Sequence, residues 1–460
     1  GGAAYAGSLS ESPDLSAVWA WLTSQSSVCH QGDRGLDSGM TSQTADLRER
    51  ASGNERAEYA IGAKVSAAHF TSHVYYLVLP PLFPLLKGEL HVGYVELGLA
   101  ITLFNILTLI LQTPMGFAVD RFDARSILVG GLCLGGLAYL LFAAIPTYPC
   151  LMVAFALAGI GNAVYHPADY SILTSAISPP RVGRVFSMHL FAGYFGSAIA
   201  PATILFLTAI AGYRVAIAAA GCLAFVVAMP LVLDIFERSA NARKTNAPAR
   251  AKTTAAPGTR ILTPAVLSLM GFFALISLSS TGINNFAGAG LQGAQAMSLE
   301  SANIALTGYL LATAFGVLAG GLIADRTIHH NAVAALGFAA SAVFVLLVAV
   351  LSLPGLAVIL LLSAAGFFSG IIQPSRDMMV REAVPEGAAG RVFGIVTTGF
   401  NIGAAIGPIV FGLILDHGHP AWIFAITAGF TAITALTASW SQWRKQRARS
   451  VAASEISEAA

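Results

Sequence analysis

From Glu58 onward the chain alternates between apolar segments about twenty residues long and short polar breaks. At 1.5 Å per residue, a helix of about twenty residues crosses a hydrocarbon core of about 30 Å. The pattern predicts membrane spans over 61–86, 93–116, 126–145, 150–177, 185–210 and 213–234. After a hydrophilic stretch, it predicts six more over 263–287, 301–323, 332–352, 356–379, 391–415 and 420–439. The expected fold is therefore an all-α membrane protein with twelve transmembrane helices in two six-helix halves. Its parts are a tail at 1–58, an N-terminal half at 59–234, a linker at 235–262, a C-terminal half at 263–440 and a second tail at 441–460.

The tail at 1–58 is rich in Ser, Gly, Glu and Arg, and its one apolar stretch is the short Ala17–Leu22. A signal peptide needs a basic start and a longer apolar run, and neither is present. The chain begins with Gly and its first methionine is Met40. These features read as a disordered cytoplasmic tail or, over 1–39, as an extension upstream of the true reading frame.

Composition agrees with a lipid-facing chain. Hydrophobic residues make up 56% and charged residues 10%, with a mean hydropathy of +0.71; a soluble domain carries about a quarter charged residues. The formal charge of +2 gives no reason to expect a nucleic-acid partner. Cys29, Cys133, Cys150 and Cys222 lie far apart, with neither metal-ligand spacing nor a disulfide pattern. No phosphate-binding Gly-x(4)-Gly-Lys-Ser/Thr segment occurs. Coupling is thus expected from an ion gradient or the solute's own gradient, with no cofactor and no metal. With the N-terminus in the cytoplasm, all of the 25 lysines and arginines except Lys87 and Arg214 fall inside, as the positive-inside rule requires. The expectation is a multi-pass protein of the cell membrane with both termini cytoplasmic.

The second half repeats the first. Gly116-Phe-Ala-Val-Asp120-Arg121 recurs as Gly321-Leu-Ile-Ala-Asp325-Arg326 at an offset of 205. From the fourth span the offset is 207: Pro167 matches Pro374, Gly183-Arg184 matches Gly390-Arg391, and Gly196 and Pro201 match Gly403 and Pro408. Parallel repeats of this kind place a substrate site near the bilayer midplane between the halves.

These turns and this architecture resemble the major facilitator superfamily over about residues 60–440. In that family the turn runs Gly-x-x-x-Asp-Arg-x-Gly-Arg-Arg; here Gly116, Asp120, Arg121 and Arg125 are kept, with Asp123 and Ala124 in place of Gly and Arg. The second copy has His329 and His330 where basic residues are expected. Leu77-Val-Leu-Pro80-Pro81-Leu-Phe-Pro84 and Gly159-x-Gly161-x(4)-His166-Pro167 are similar to the fosmidomycin-resistance-type exporters. The antiporter-associated Gly-x(8)-Gly-x(3)-Gly-Pro of helix 5 is incomplete there, but complete in helix 11 as Gly394, Gly403, Gly407 and Pro408. In that position it supports a bent, closely packed helix pair rather than antiport.

Ionisable groups inside spans are costly and mark candidate sites. His69 and His73 lie four apart on one face of span 1, and imidazole titrates near neutral pH. His166, Asn284, Asn285 and Gln373 complete the candidates for proton or substrate contact. The resemblance implies that helices 1, 4, 7 and 10, which carry them, line the central cavity. Counted from the outer ends of their spans, Asp169, Arg376 and Asp377 come close to the cytoplasmic face, as gate or interface charges. Glu96 is either an external-gate carboxylate or a helix start. Helices 5 and 11 are expected to begin just after Gly183 and Gly390, exposing partial positive charge. Asp120 is expected to cap near Gly390–Arg391 and Asp325 near Gly183–Arg184, so that with Arg121, Arg326, Arg184 and Arg391 they close the cytoplasmic side.

The expected function is secondary active transport of a small organic solute by alternating access. The reading favours proton-coupled efflux by a chain that works as a monomer in the lipid bilayer. An importer of a small organic anion, using Arg376, is the alternative. A metal- or haem-binding membrane oxidoreductase built on His69 and His73 is a remoter one, since twelve helices in matching halves serve a carrier and not an enzyme.

Overall fold

The computed structural model describes the backbone of residues 37–242, 263–324, 326–382 and 389–459. Side chains are described from Glu55 onward within these segments, apart from Asp120, 236–242, 381–382, 389–391, 393–394 and 441–459. The tail at 1–36 and the linker at 243–262 lie outside the described residues. The chain divides into Gly1–Ala57 and a helical unit, Glu58–Ala460, that holds both halves of the repeat.

Every described element is helical. The N-terminal half comprises α1 (Asp37–Tyr76), a 3₁₀ turn (Pro80–Leu82), α2 (Phe83–Leu90), α3 (Tyr94–Arg121), α4 (Ala124–Ala144), α5 (Tyr148–Asn162), α6 (Tyr165–Ala176), α7 (Pro179–Ala211) and α8 (Tyr213–Ala242). The C-terminal half comprises α9 (Pro264–Gln295), α10 (Leu299–Ala324), α11 (His330–Val350), α12 (Gly355–Glu382), α13 (Ala389–Asp416) and α14 (Ala421–Ala459). Prolines explain why there are more helices than spans. Pro80, Pro81 and Pro84 interrupt span 1 between α1 and α2, because proline lacks the N–H that a continuous helix needs. Span 4 is broken between α5 and α6, at Ala163–Val164.

Eleven stretches among the described residues are long and apolar enough to cross a membrane. The twelfth, in α1, is diluted by Lys64, His69, Ser72 and His73, so the polar groups that make it interesting also mask it as a span. Helix α1 begins at Asp37, within the segment read as a tail, and α8 and α14 run on past the apolar segments. The hydrophobic pattern sets how much of a helix lies in lipid, not where the backbone stops coiling. Apolar side chains such as Val226, Leu336, Leu360 and Leu436 are exposed, as a lipid-facing surface requires.

Packing follows the repeat. Within the halves, α4 packs on α8, α9 on α13, α10 on α12 and α11 on α14. Between them, α3 meets α13 and α7 meets α10, two seams that the duplication relates to each other. Lipid supplies no hydrophobic force between helices, so close backbone approach through small residues carries the association. Along α10 and α12, a Cβ added at Gly366 or Gly370 would fall on the carbonyl oxygens of Tyr309 or Thr313.

Ion pairs tie the N-terminal half together where its second and fourth loops meet the start of its first span and the end of its sixth, on the side of the bundle called the terminal face. Asp234 pairs with Lys64 at 2.5 Å and with Arg125 at 3.5 Å. Asp123, which departs from the family pattern, is the N-cap of α4 and accepts from the Ser126 N–H at 2.9 Å. Glu58 accepts from Arg181 Nε at 2.7 Å and Nη2 at 3.0 Å, and from the backbone and hydroxyl of Ser178. Arg181 chiefly holds the Glu58 carboxyl down at about 2, with Ser178 assisting.

Two outcomes are expected. Gly370→Leu lowers stability by about 1–3 kcal/mol through overpacking, read as thermal unfolding in detergent. Gly130→Leu, with nothing within 4 Å of its Cβ position, stays within about 0.5 kcal/mol. Because the folded pKa of Glu58 is depressed, its stabilisation is fully present above the unfolded value of about 4.3 and fades as pH falls toward the folded value. The gap in unfolding temperature between the wild type and Glu58→Gln therefore holds from neutral pH to about 5 and closes as pH approaches about 2.

Candidate functional site

Helix α1 carries His69 and His73 one turn apart, and their rings meet edge to face with centroids 4.6 Å apart. The break in span 4 brings the next groups to them. Gly159 lets α5 cross tightly over α3, since a Cβ there would lie 2.6 Å from the Phe104 carbonyl oxygen. Asn162, at the end of α5, donates to the Tyr76 hydroxyl at 2.8 Å. The chain turns and restarts as α6, with Pro167 in its first turn, where no helical N–H is missed. This restart delivers His166, its ring 5.6 Å from His69, and Asp169, whose side chain is fully buried.

Asp169 Oδ2 stands 3.7 Å from His69 Nδ1 and 3.8 Å from Nε2 of His189, which comes from α7. The His69 and His189 rings stack at 4.0 Å with an interplanar angle of 23°. Room for this comes from Gly193, one turn along α7, where a Cβ would lie 2.6 Å from His69 Nε2. His73 Nδ1 bonds the Ser197 hydroxyl at 3.0 Å. Neither oxygen of Asp169, nor His69 Nδ1, nor either nitrogen of His189 has a hydrogen-bond partner. Buried polar groups are nearly always paired, so this cluster is an exception in need of a purpose.

His69, Asp169 and His189 place one ligand atom each within 4.8 Å of the others, the spacing of a metal triad. The ring geometry argues against that use. Imidazole lone pairs lie in the ring plane, and in two stacked rings they run side by side instead of converging as a tetrahedral ion requires. A carboxylate between two imidazoles suits the sharing of protons instead.

His69 lies eleven residues beyond Glu58, about 16 Å along the helix, and Asp169 nine residues before Ser178, about 13 Å. Since Glu58 and Ser178 are hydrogen-bonded to each other, the cluster lies about 13–16 Å inward of that contact, and Asp169 is fully buried there. Span 4 runs over Tyr148–Ala176, longer than the bilayer needs.

Across from the cluster, α12 presents Arg376, paired with Asp377 at 2.9 Å and stacked 4.9 Å over the Phe273 ring. The phenols of Tyr170 and Tyr194, from the other half, are close enough to interact electrostatically with it. Arg376 thus faces the same interior as the cluster. Asn284 and Asn285 are partly buried, and Asn284 Oδ1 and Gln373 Oε1 lack partners. These two amides share the unsatisfied character of the cluster without joining it. Glu96 takes the second of its two expected roles, accepting from the Gly93 N–H at 2.9 Å as a helix-start cap.

The expected gate needs revision at one point. Helix α7 begins at Pro179, not after Gly183, because Pro179-Pro180 is preorganised for a first helical turn. The donors at that end are Ser178 and Arg181, and Glu58 of the same half already engages them. Arg184 donates to the Tyr59 hydroxyl at 3.1 Å, Arg121 lies 5.9 Å over the Phe122 ring, and Arg326 is exposed. Asp325 and the side chains of Asp120 and Arg391 lie outside the described residues. Gly116, Gly183 and Gly321 have nothing within 4 Å of their Cβ positions, so a side chain would fit at each.

The sequence placed His69 and His73 on one helix face and named His166 as a separate candidate on span 4; the structure brings the three rings together and adds His189, which the sequence reading did not name. The signal was present: an imidazole inside an apolar span. It was passed over because span 5 is not a cavity helix in the family pattern.

The Major Facilitator Superfamily family model matches residues 65–281 and again 267–459. The chain is 26% identical over 380 residues to the fosmidomycin resistance protein of Escherichia coli (strain K12), covering 81% of this chain and 90% of that one. It is 24% identical over 143 residues to the uncharacterized MFS-type transporter YfnC of Bacillus subtilis (strain 168), 31% of this chain and 35% of the other. A bacterial homolog of the human lysosomal transporter Spinster, inward-facing and occupied, superposes with a TM-score of 0.65 at 14% identity, covering 84% of this chain and 97% of the other. The nucleoside transporter NupG gives 0.62 at 13%, covering 82% and 99%. With both six-helix halves matched in order, the chain belongs to the Major Facilitator Superfamily of membrane transporters.

Proposed function

We propose that the protein is a proton-coupled exporter of a small organic solute, working by alternating access as a monomer in the cell membrane with both termini in the cytoplasm. The observation that carries this reading is the buried Asp169 carboxylate, set between His69 and His189 without a hydrogen-bond donor. An isolated charge in the bilayer interior is costly unless paired. A proton held among Asp169 and the imidazoles lets the group be neutral, or an ion pair, according to the side it last faced.

The groups that face Asp169 are His69 from α1, His189 from α7, and Tyr165 and Tyr170 from its own helix, with His166 against the His69 ring. His73 extends the line by one turn. Solute is taken from the cytoplasm into the interior between this cluster and Arg376, and protons return through the cluster. The relative named for fosmidomycin resistance supports export as the direction, and the distribution of Lys and Arg supports the orientation.

The test uses inside-out vesicles with a preset proton gradient and a pH-sensitive dye. Fosmidomycin heads a panel of antibiotics, organic acids and sugars. One compound class is expected to collapse the gradient with the wild type. With Asp169→Asn the response falls to background, while labelled solute still exchanges without a gradient. A wild-type response from Asp169→Asn removes the cluster from coupling. Solute movement with no proton response in the wild type removes proton coupling altogether.

A further inference from the structure

The α3–α13 seam is closed at the face opposite the terminal one, by polar contacts that cross between the halves. Asp416, the last residue of α13, accepts from the backbone N–H groups of Tyr94 at 2.9 Å and Val95 at 2.8 Å. These are the first residues of α3, whose opening N–H groups have no partner within the helix. The carboxylate of one half thus caps a helix of the other. Lys87, which ends span 1, pairs with the same carboxylate at 3.0 Å and lies 4.4 Å over the Tyr94 ring.

Further along the seam, Pro408 sets the pattern. Having no N–H, it leaves the carbonyl of Ala404 without its helical donor. Asn105 Nδ2 of α3 donates to that carbonyl at 3.2 Å, and Thr102 Oγ1 donates to the neighbouring Ala405 carbonyl at 2.7 Å. Gly98 permits the approach, since a Cβ there would lie 2.5 Å from the Pro408 carbonyl oxygen. The Gly407-Pro408 pair of α13 thereby exposes backbone acceptors that the opposite half uses as docking points. The counterpart of Thr102 in the repeat is Thr307, whose Oγ1 is buried and makes no hydrogen bond. Among the described residues the device therefore belongs to one seam.

We infer that Asp416, Asn105 and Thr102, with Lys87, form the outer gate of the carrier, held shut while the terminal face is open and released when the halves rock. Each bond joins the two halves, so outward opening must break them. The inference rests on alternating access, not on proton coupling, and its test needs neither solute nor gradient.

The experiment is double electron–electron resonance on the full chain, with its native cysteines replaced and spin labels at Gly88→Cys and His419→Cys, two exposed positions on opposite sides of the seam. In the parent, a short-distance population dominates. Asp416→Ala, and separately Thr102→Val with Asn105→Ala, are expected to shrink it in favour of a second, longer distance, while Thr102→Ser keeps the parent distribution. If Asp416→Ala does not fold, the Thr102→Val and Asn105→Ala pair decides, because it removes hydrogen bonds without leaving a charge. An unchanged distribution in folded variants, with or without a lower unfolding temperature, makes these contacts mere packing and overturns the gate.

Discussion

Most of this structure depends on one constraint: inside a bilayer no water is available to satisfy a polar group, so the protein must do it or leave it undone for a reason. The ordinary solution is visible throughout. Ser and Thr side chains bond the carbonyl one turn back, as Thr71 does to Ala67 and Thr313 to Tyr309, and backbones pack directly at glycines. Against that background two places stand out. Pro408 frees a carbonyl that only the other half can answer, and Asp169 sits with two imidazoles and no donor.

These departures divide the labour between the halves. The carboxylate and its four surrounding histidines all belong to the N-terminal half, on α1, α6 and α7. The guanidinium that faces them, Arg376, belongs to the C-terminal half, where Asp377 and the Phe273 ring hold it. The duplication that made the halves did not keep them equivalent. Pro374 repeats Pro167, yet two residues on from it stands Arg376, where Asp169 stands in the first half. The repeat is symmetric in its helices, and its buried charged residues are not.

The two seams show the same economy. At the α3–α13 seam a carboxylate, an amide and a hydroxyl all reach backbone groups of the opposite half. Backbone acceptors and donors are fixed by their helices, so such contacts form only when the helices are in register. Each bond is weak on its own, at about 1 kcal/mol, so the seam is held by several small contacts and not by one strong one.

By itself the sequence determined the number of spans, their order and the division into matching halves, because lipid imposes a length and a polarity that a one-dimensional pattern can carry. It also determined that His69 and His73 share a face, since helical periodicity is local. It did not reveal the partnership of His69 with His189, 120 residues away, because that depends on how α7 lies against α1 and on the space Gly193 leaves. Nor could it place Asp169, whose depth was decided by the break in span 4. The start of α7 was signalled by Pro179-Pro180, but the capture of that end by Glu58 is a contact between distant residues. Only the tertiary structure could decide which polar groups meet, because pairing in three dimensions is set by crossing angles and close packing, and no local pattern encodes them.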